Sequence, residues 1–142
     1  MFGILLSLAL AGEPAAVSPS LEAYDRVRVA LTNDDLSGAK AGVSALNATV
    51  SGDPAALAAS SALASAPDLT AARAAFGDLS KALLVEYAVA APEELHVYFC
   101  PMTSTFPYWL QPTAGLKNPY MGTKMPDCGE GVGLKAALKA VQ

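Results

Sequence analysis

The sequence predicts a mainly helical fold: an antiparallel bundle of about four helices, then a Pro/Gly-rich C-terminal region with one or two short β-strands. Three observations carry that expectation. Alanine dominates the chain before Pro92, apolar residues recur there at helical spacing, and prolines crowd the chain after it. The composition agrees, with 53% hydrophobic and only 15% charged residues in a chain of 142. That balance points to close-packed helices rather than disorder, and the length fits one domain with a core of its own.

Residues 1–11 read as a short signal peptide. Phe2 to Ala11 is an apolar run, and Ala9-Leu10-Ala11 before Gly12 resembles a small-x-small cleavage site. No Lys or Arg precedes the run, so a buried N-terminal helical turn is the alternative. No cysteine precedes Cys100, which leaves no acceptor for an N-terminal lipid. The mature chain is therefore expected to be periplasmic or secreted. Residues 18–142 form the expected single domain, divided into a bundle (18–91), a Cys/Met segment (92–130) and a short closing helix (131–142).

The first helix starts at Ser18-Pro19, a capping serine followed by proline at the first helical position. Leu21, Tyr24, Val27 and Leu31 fall on one face. Asn33-Asp34-Asp35 ends it and caps the second helix, whose Leu36, Ala39, Val43, Leu46 and Val50 make a narrow seam. Asp53-Pro54 opens a third, alanine-rich helix reaching about Ala64. Pro67-Asp68 opens the fourth, with Leu69, Ala72, Phe76, Leu79, Leu83 and Tyr87 in line. Short connections favour antiparallel neighbours.

From Pro92 onward, repeated prolines forbid a long helix. Leu95 to Phe99 and Tyr108 to Gln111 are rich in strand formers and read as short strands. Asn118-Pro119-Tyr120 and Gly122 read as turns, and a last helix runs from about Leu134 to Val141.

Both cysteines lie in this segment, in Cys100-Pro101-Met102 and Met125-Pro126-Asp127-Cys128. Positions 100 and 102 share a side of an extended chain, and 125 and 128 converge across one turn. Two thiolates and two thioethers suit a soft ion, copper(I) first, and disfavour calcium, magnesium or manganese. Met121 and His96 are further candidate donors. The alternative is a disulfide between Cys100 and Cys128, the usual fate of two cysteines in an oxidising compartment. It would stabilise the fold by about 3–4 kcal/mol on chain entropy alone. Tyr108, Trp109, Asn118, Pro119 and Tyr120 are read as residues that pack this loop onto the bundle.

The ordered set Cys100-Pro101-Met102, Tyr108-Trp109-Leu110, Asn118-Pro119-Tyr120-x-Gly122 and Met125-x-x-Cys128-Gly129 resembles the bacterial domain-of-unknown-function family 3347. Ala30-Leu31, Asp34-Asp35-Leu36, Ala39-Lys40 and Ala72-Arg73-x-x-Phe76-x-x-Leu79-Ser80 are similar to its helical part. The resemblance spans about Leu21 to Val132. Such domains also occur fused to periplasmic adaptor subunits of heavy-metal efflux pumps, which implies a metal-related role and a heavy-metal efflux or metal-trafficking partner. It carries over Cys100, Met102, Met125 and Cys128 as sulfur positions. Phe99 stands where the family often has histidine, leaving His96 as the nearest imidazole, and Met121 stands where an aromatic is expected.

Other classes find little support. The net charge is −4 with no basic stripe, so nucleic-acid binding has no electrostatic footprint. No apolar run is long enough to span a bilayer. An enzyme is not expected, because His96 is the one histidine, no Cys-x-x-Cys motif occurs and no phosphate-cradling glycine loop follows a strand. Asp34-Asp35 reads as a helix cap rather than a catalytic pair, and Arg73 has no assigned role. Asn47-Ala48-Thr49 matches a glycosylation pattern but falls on a predicted helix.

Overall fold

The structure is a computed structural model, which describes residues 18–90 and 95–142. The signal-peptide reading of residues 1–11 lies outside the described residues. The chain order is α1 (Pro19–Thr32), α2 (Leu36–Asn47), α3 (Pro54–Ala64), α4 (Leu69–Ala90), β1 (His96–Phe99), β2 (Tyr108–Gln111), a 3-10 turn (Gly122–Lys124), β3 (Glu130–Val132) and α5 (Leu134–Lys139). The fold is mainly helical, as expected.

Side-chain caps start the four bundle helices. Ser18 Oγ accepts the Leu21 amide at 3.2 Å, Asp35 the Gly38 amide at 2.8 Å, and Asp68 the Ala71 amide at 2.8 Å. Asp53 accepts the Ala55 and Ala56 amides at 2.9 and 3.1 Å. Each cap satisfies amides that a helix start leaves without partners, a contribution of about 1 kcal/mol. The sequon at Asn47 ends α2, and its side-chain oxygen accepts from Ser60 of α3.

Small residues bring the helices close. A Cβ on Gly42 would lie 2.9 Å from Val27 Cγ2, and one on Gly38 would lie 3.3 Å from Ala30. Residue numbers therefore rise on α2 as they fall on α1, and the two run antiparallel. The same logic orients α1 against α4: Tyr87 donates to Ser20 at 2.6 Å, while Tyr24 meets Ser80 at 2.7 Å. Tyr24 also stacks on Phe76 at 4.9 Å. The core between these helices is fully buried at Val27, Leu31, Val43, Leu46, Leu63, Phe76, Leu79 and Leu83. Each such large side chain contributes about 1.5–3 kcal/mol of burial.

The C-terminal part holds a three-stranded antiparallel sheet in the order β2-β1-β3. This corrects the expectation of one or two strands. β1 pairs with β2 from His96↔Gln111 to Phe99↔Tyr108, and with β3 from Val97↔Val132 to Phe99↔Glu130. The third strand forms because β1, with β2 on one edge, leaves backbone groups free on the other, and Glu130–Val132 supplies partners for them. The loop before β2 rests on α4 at Gly77, where a Cβ would lie 3.2 Å from Thr105 Oγ1 and 3.3 Å from the Phe106 backbone. α5 closes the chain two residues earlier than expected, with Ala137 buried.

A second correction concerns Asp34. Asp35 caps α2, but Asp34 turns the chain with φ +57° and points elsewhere. Its carboxylate binds Arg73 Nη2 at 2.5 Å and the hydroxyl of Thr123. Arg73 also donates to the Leu31 carbonyl at 2.9 Å and the Pro119 carbonyl at 2.8 Å. One guanidinium thus joins the end of α1, the first turns of α4 and the C-terminal loop. Thr123 and then Arg73 hold the Asp34 carboxyl below its ordinary value. Gly122, at φ +60°, leaves room for the pair, since any Cβ there would collide with both partners.

Candidate soft-metal site

Cys100 follows the last residue of β1, and its amide donates to the Pro107 carbonyl at 2.9 Å, closing the loop that carries Met102. Cys128 ends a tight turn in which its amide reaches the Met125 carbonyl at 3.2 Å. Between Cys128 and β3 stands Gly129 alone. Continuing the β1–β3 register by one step puts Cys100 opposite Gly129, so Cys128 is a diagonal neighbour of Cys100.

In a regular strand that diagonal neighbour would face the other side of the sheet. Gly129 breaks the alternation with φ +124°. It also approaches β1 so closely that a Cβ would lie 2.5 Å from the Phe99 carbonyl oxygen. The register thus sets the two cysteines on neighbouring strand ends, one step from facing each other. Both cysteines are free, and the Cys100 sulfhydryl, after desolvation, is what pushes the Cys128 thiol above its ordinary value. Two sulfurs separated by most of the C-terminal segment share one place because a register and a glycine put them there.

Asn118 holds the turn from behind. It is fully buried; its Nδ2 donates to the Cys128 carbonyl at 2.7 Å, and its Oδ1 accepts the Tyr120 and Met121 amides at 2.7 and 3.0 Å. Its own amide reaches the Pro126 carbonyl at 2.7 Å. Every polar atom of this side chain is used to splice the 118–121 turn to the 125–128 turn. Below lies an aromatic series. Trp109 stacks on Tyr98 at 5.6 Å and meets Tyr120 edge-on at 6.0 Å, and Tyr120 meets Phe76 of α4 at 5.9 Å. Buried Trp109 donates to Gln111 at 2.9 Å, and Tyr120 donates to the Tyr108 carbonyl at 3.2 Å. Burial first, then Tyr24, with Cys100 and Asp78 adding, raises the Tyr120 hydroxyl well above its ordinary value.

The other sulfur residues are arranged unequally. Cys100 is fully buried and Cys128 half-buried, whereas Met102 is 63% and Met125 43% exposed. Met121 packs partly buried against the core. His96 lies at the far end of β1, paired with Gln111, about 13 Å from Cys100 along an extended strand. It shares a face with Cys100 but not a location. Among the described residues no three His, Cys, Asp or Glu side chains converge. The candidate donors are thus the two thiols, with Met102 and Met125 two and three residues from them in the chain, a set that fits soft ions by its chemistry. A cleft of about 460 Å³ between the α2–α3 turn and α4, lined by Val50, Asp53, Ala82 and Glu86, contains none of these groups.

Sequence reasoning missed Gly129, Arg73 and Asp34 as determinants of this site. Gly129 carried only a weak signal, because the strand that follows it was not legible and glycine alone marks many kinds of turn. Arg73 and Asp34 carried none, because their partners are far away in sequence.

Fold and site together define a class: a mainly helical chain carrying a small antiparallel sheet, with two free cysteines at the sheet's end. No family model, no curated protein and no solved structure matches the chain. Among the described residues no helix is long and apolar enough to cross a membrane.

Proposed function

We propose that the chain is an exported module that binds or handles a soft metal ion, copper(I) or silver(I), between the sulfurs of Cys100 and Cys128. The observation that carries the reading is the register that sets two free cysteines on neighbouring strand ends, one step from facing each other. The exposed methionines support it further. Met102 and Met125 lie between the two cysteines in the chain and leave much of their surface in water, where a thioether adds little to packing. As soft donors they have a use. The resemblance of these segments to the domain-of-unknown-function family 3347, a periplasmic or secreted location, and a partner in heavy-metal efflux or metal trafficking belong to the same proposal.

Binding requires the thiols to lose protons. Because the Cys128 thiol is pushed up by desolvation and then by Cys100, the ion must displace its proton at neutral pH. Affinity then falls on acidification, about tenfold per pH unit for each proton released. Competitive copper(I) titration under reducing conditions tests the reading. Wild type is expected to take one ion per chain. Cys100→Ser and Cys128→Ser should each lose more than about a hundredfold in affinity, beyond what changes outside the ligand shell cost. Full affinity in either variant removes the site.

The same adjacency favours a second reading, in which a Cys100–Cys128 disulfide staples a loop surface for a partner protein. A thiol count before any reductant is added separates the two: two reactive thiols for the metal site, none for the staple.

A further inference from the structure

The two thiols differ in access. Cys100 has no exposed surface, while Cys128 is half-exposed at the end of a surface turn. Its neighbour Gly129 is exposed and has no side chain to shield it. Backbones paired as β1 and β3 are bring facing Cα atoms within about 4.5–5.5 Å, and a disulfide needs Cα atoms within about 4.4–6.8 Å. Cys128 is one residue from the position facing Cys100, so the two sulfurs can join with little backbone movement.

We propose that the pair is a thiol–disulfide exchange site, with Cys128 as the outer, attacking thiol and Cys100 as the resolving one, and that closing the pair excludes the soft metal. The exchange half stands on burial and register alone. The exclusion half rests on the metal reading above.

The substrate is a small or protein disulfide. In the first step the Cys128 thiolate attacks one sulfur of that disulfide, forming a mixed disulfide. The other sulfur leaves as a thiolate and takes up the proton that Cys128 lost. In the second step the Cys100 thiolate attacks the Cys128 sulfur. The remaining substrate sulfur leaves, taking the Cys100 proton. The chain has given up two electrons and two protons, and the substrate disulfide has become two thiols. The first step needs access to the attacking sulfur, and of the two cysteines Cys128 is the one with exposed surface. Once both sulfurs are joined to each other, neither can act as an anionic ligand.

The test treats the reduced full chain with oxidised glutathione, a small disulfide, and quenches with acid for peptide mapping. In wild type, any trapped glutathione adduct is expected on Cys128, followed by an internal disulfide. Cys100→Ser should stop at a stable adduct on Cys128. Cys128→Ser should react more slowly than Cys100→Ser by on the order of tenfold or more, since its remaining thiol is buried. Early wild-type adducts on Cys100, or equal rates in the two variants, overturn the assignment; the wild-type map decides even if a variant folds poorly. A second arm adds one equivalent of silver(I) before glutathione. Protection from closure supports exclusion. Unimpeded closure overturns exclusion and counts against the metal reading, while leaving the exchange chemistry to the first arm.

Discussion

The bundle and the sheet region are held together in different ways. Between Pro19 and Ala90, stability comes from stripes of apolar residues and from glycines and alanines that let helices approach. Most members of such a stripe can be exchanged for another residue of similar volume. Between His96 and Val132, geometry depends on single residues with single tasks. Asn118 splices two turns, Gln111 accepts from Trp109 and donates to the Gly115 carbonyl, and Gly129, at φ +124°, brings the chain close under Phe99. The sulfur pair lies in the second region. A reactive pair needs fixed geometry more than it needs burial, and fixed geometry is what individually placed polar bonds supply.

The comparison breaks most readily at Trp109. Trp109→Ala should cost about 3–5 kcal/mol in urea unfolding, similar to Leu79→Ala in the bundle at about 2–5 kcal/mol. If both regions unfold as one unit, each variant shifts one common transition followed by circular dichroism. A Trp109→Ala transition that splits into two would mean the bundle stands without the sheet. Next comes Asn118→Ala, which leaves the Tyr120 and Met121 amides without their acceptor at about 1–3 kcal/mol for each buried group. It should also slow closure of the cysteine pair, which an equally destabilising change in the bundle should not.

Gly129→Ala is expected to cost about 1–3 kcal/mol through its positive φ, with the Phe99 carbonyl in the way. Its more telling result is a loss of internal disulfide formation with both thiols still countable. The smallest effect concerns pH. The Asp34 carboxyl is held down by Thr123 and Arg73, so its contribution is complete above about pH 4 and lost as pH falls through its folded value. Its side chain is 35% exposed, so the loss should be only about 0.2–1 kcal/mol. Acid-unfolding curves of wild type and Asp34→Asn check it, the variant lacking that share of the slope below pH 4.

Much of the bundle was legible in the sequence because its rules are local. Ser18-Pro19, Asp53-Pro54 and Pro67-Asp68 mark helix starts by chemistry confined to a few residues, and the structure begins its helices there. β1 and β2 were legible from runs of strand formers. β3 was not, because Glu130-Gly131-Val132 has no alternation and exists only where β1 offers an unpaired edge. Asp34 misled for the same reason. Beside Asp35 it looks like half of a cap, and only the folded chain brings Arg73 and Thr123 to it. Cys100 and Cys128 were legible as candidates, but their adjacency depends on a register and a positive φ that spacing along the chain does not encode. His96 shows the converse. Alternation put it on the side of Cys100 and said nothing of how far along the strand it sits.

Tyr24, Phe76, Tyr120, Trp109 and Tyr98 follow one another from α1 across α4 into the sheet. The chain has one tryptophan, and it stands at the sheet side of that joint, wholly out of water. Its emission is therefore a native optical gauge of the seam between the two halves. A red shift would register water reaching the indole before any helix had come apart, and no dye need be attached near the sulfurs to see it.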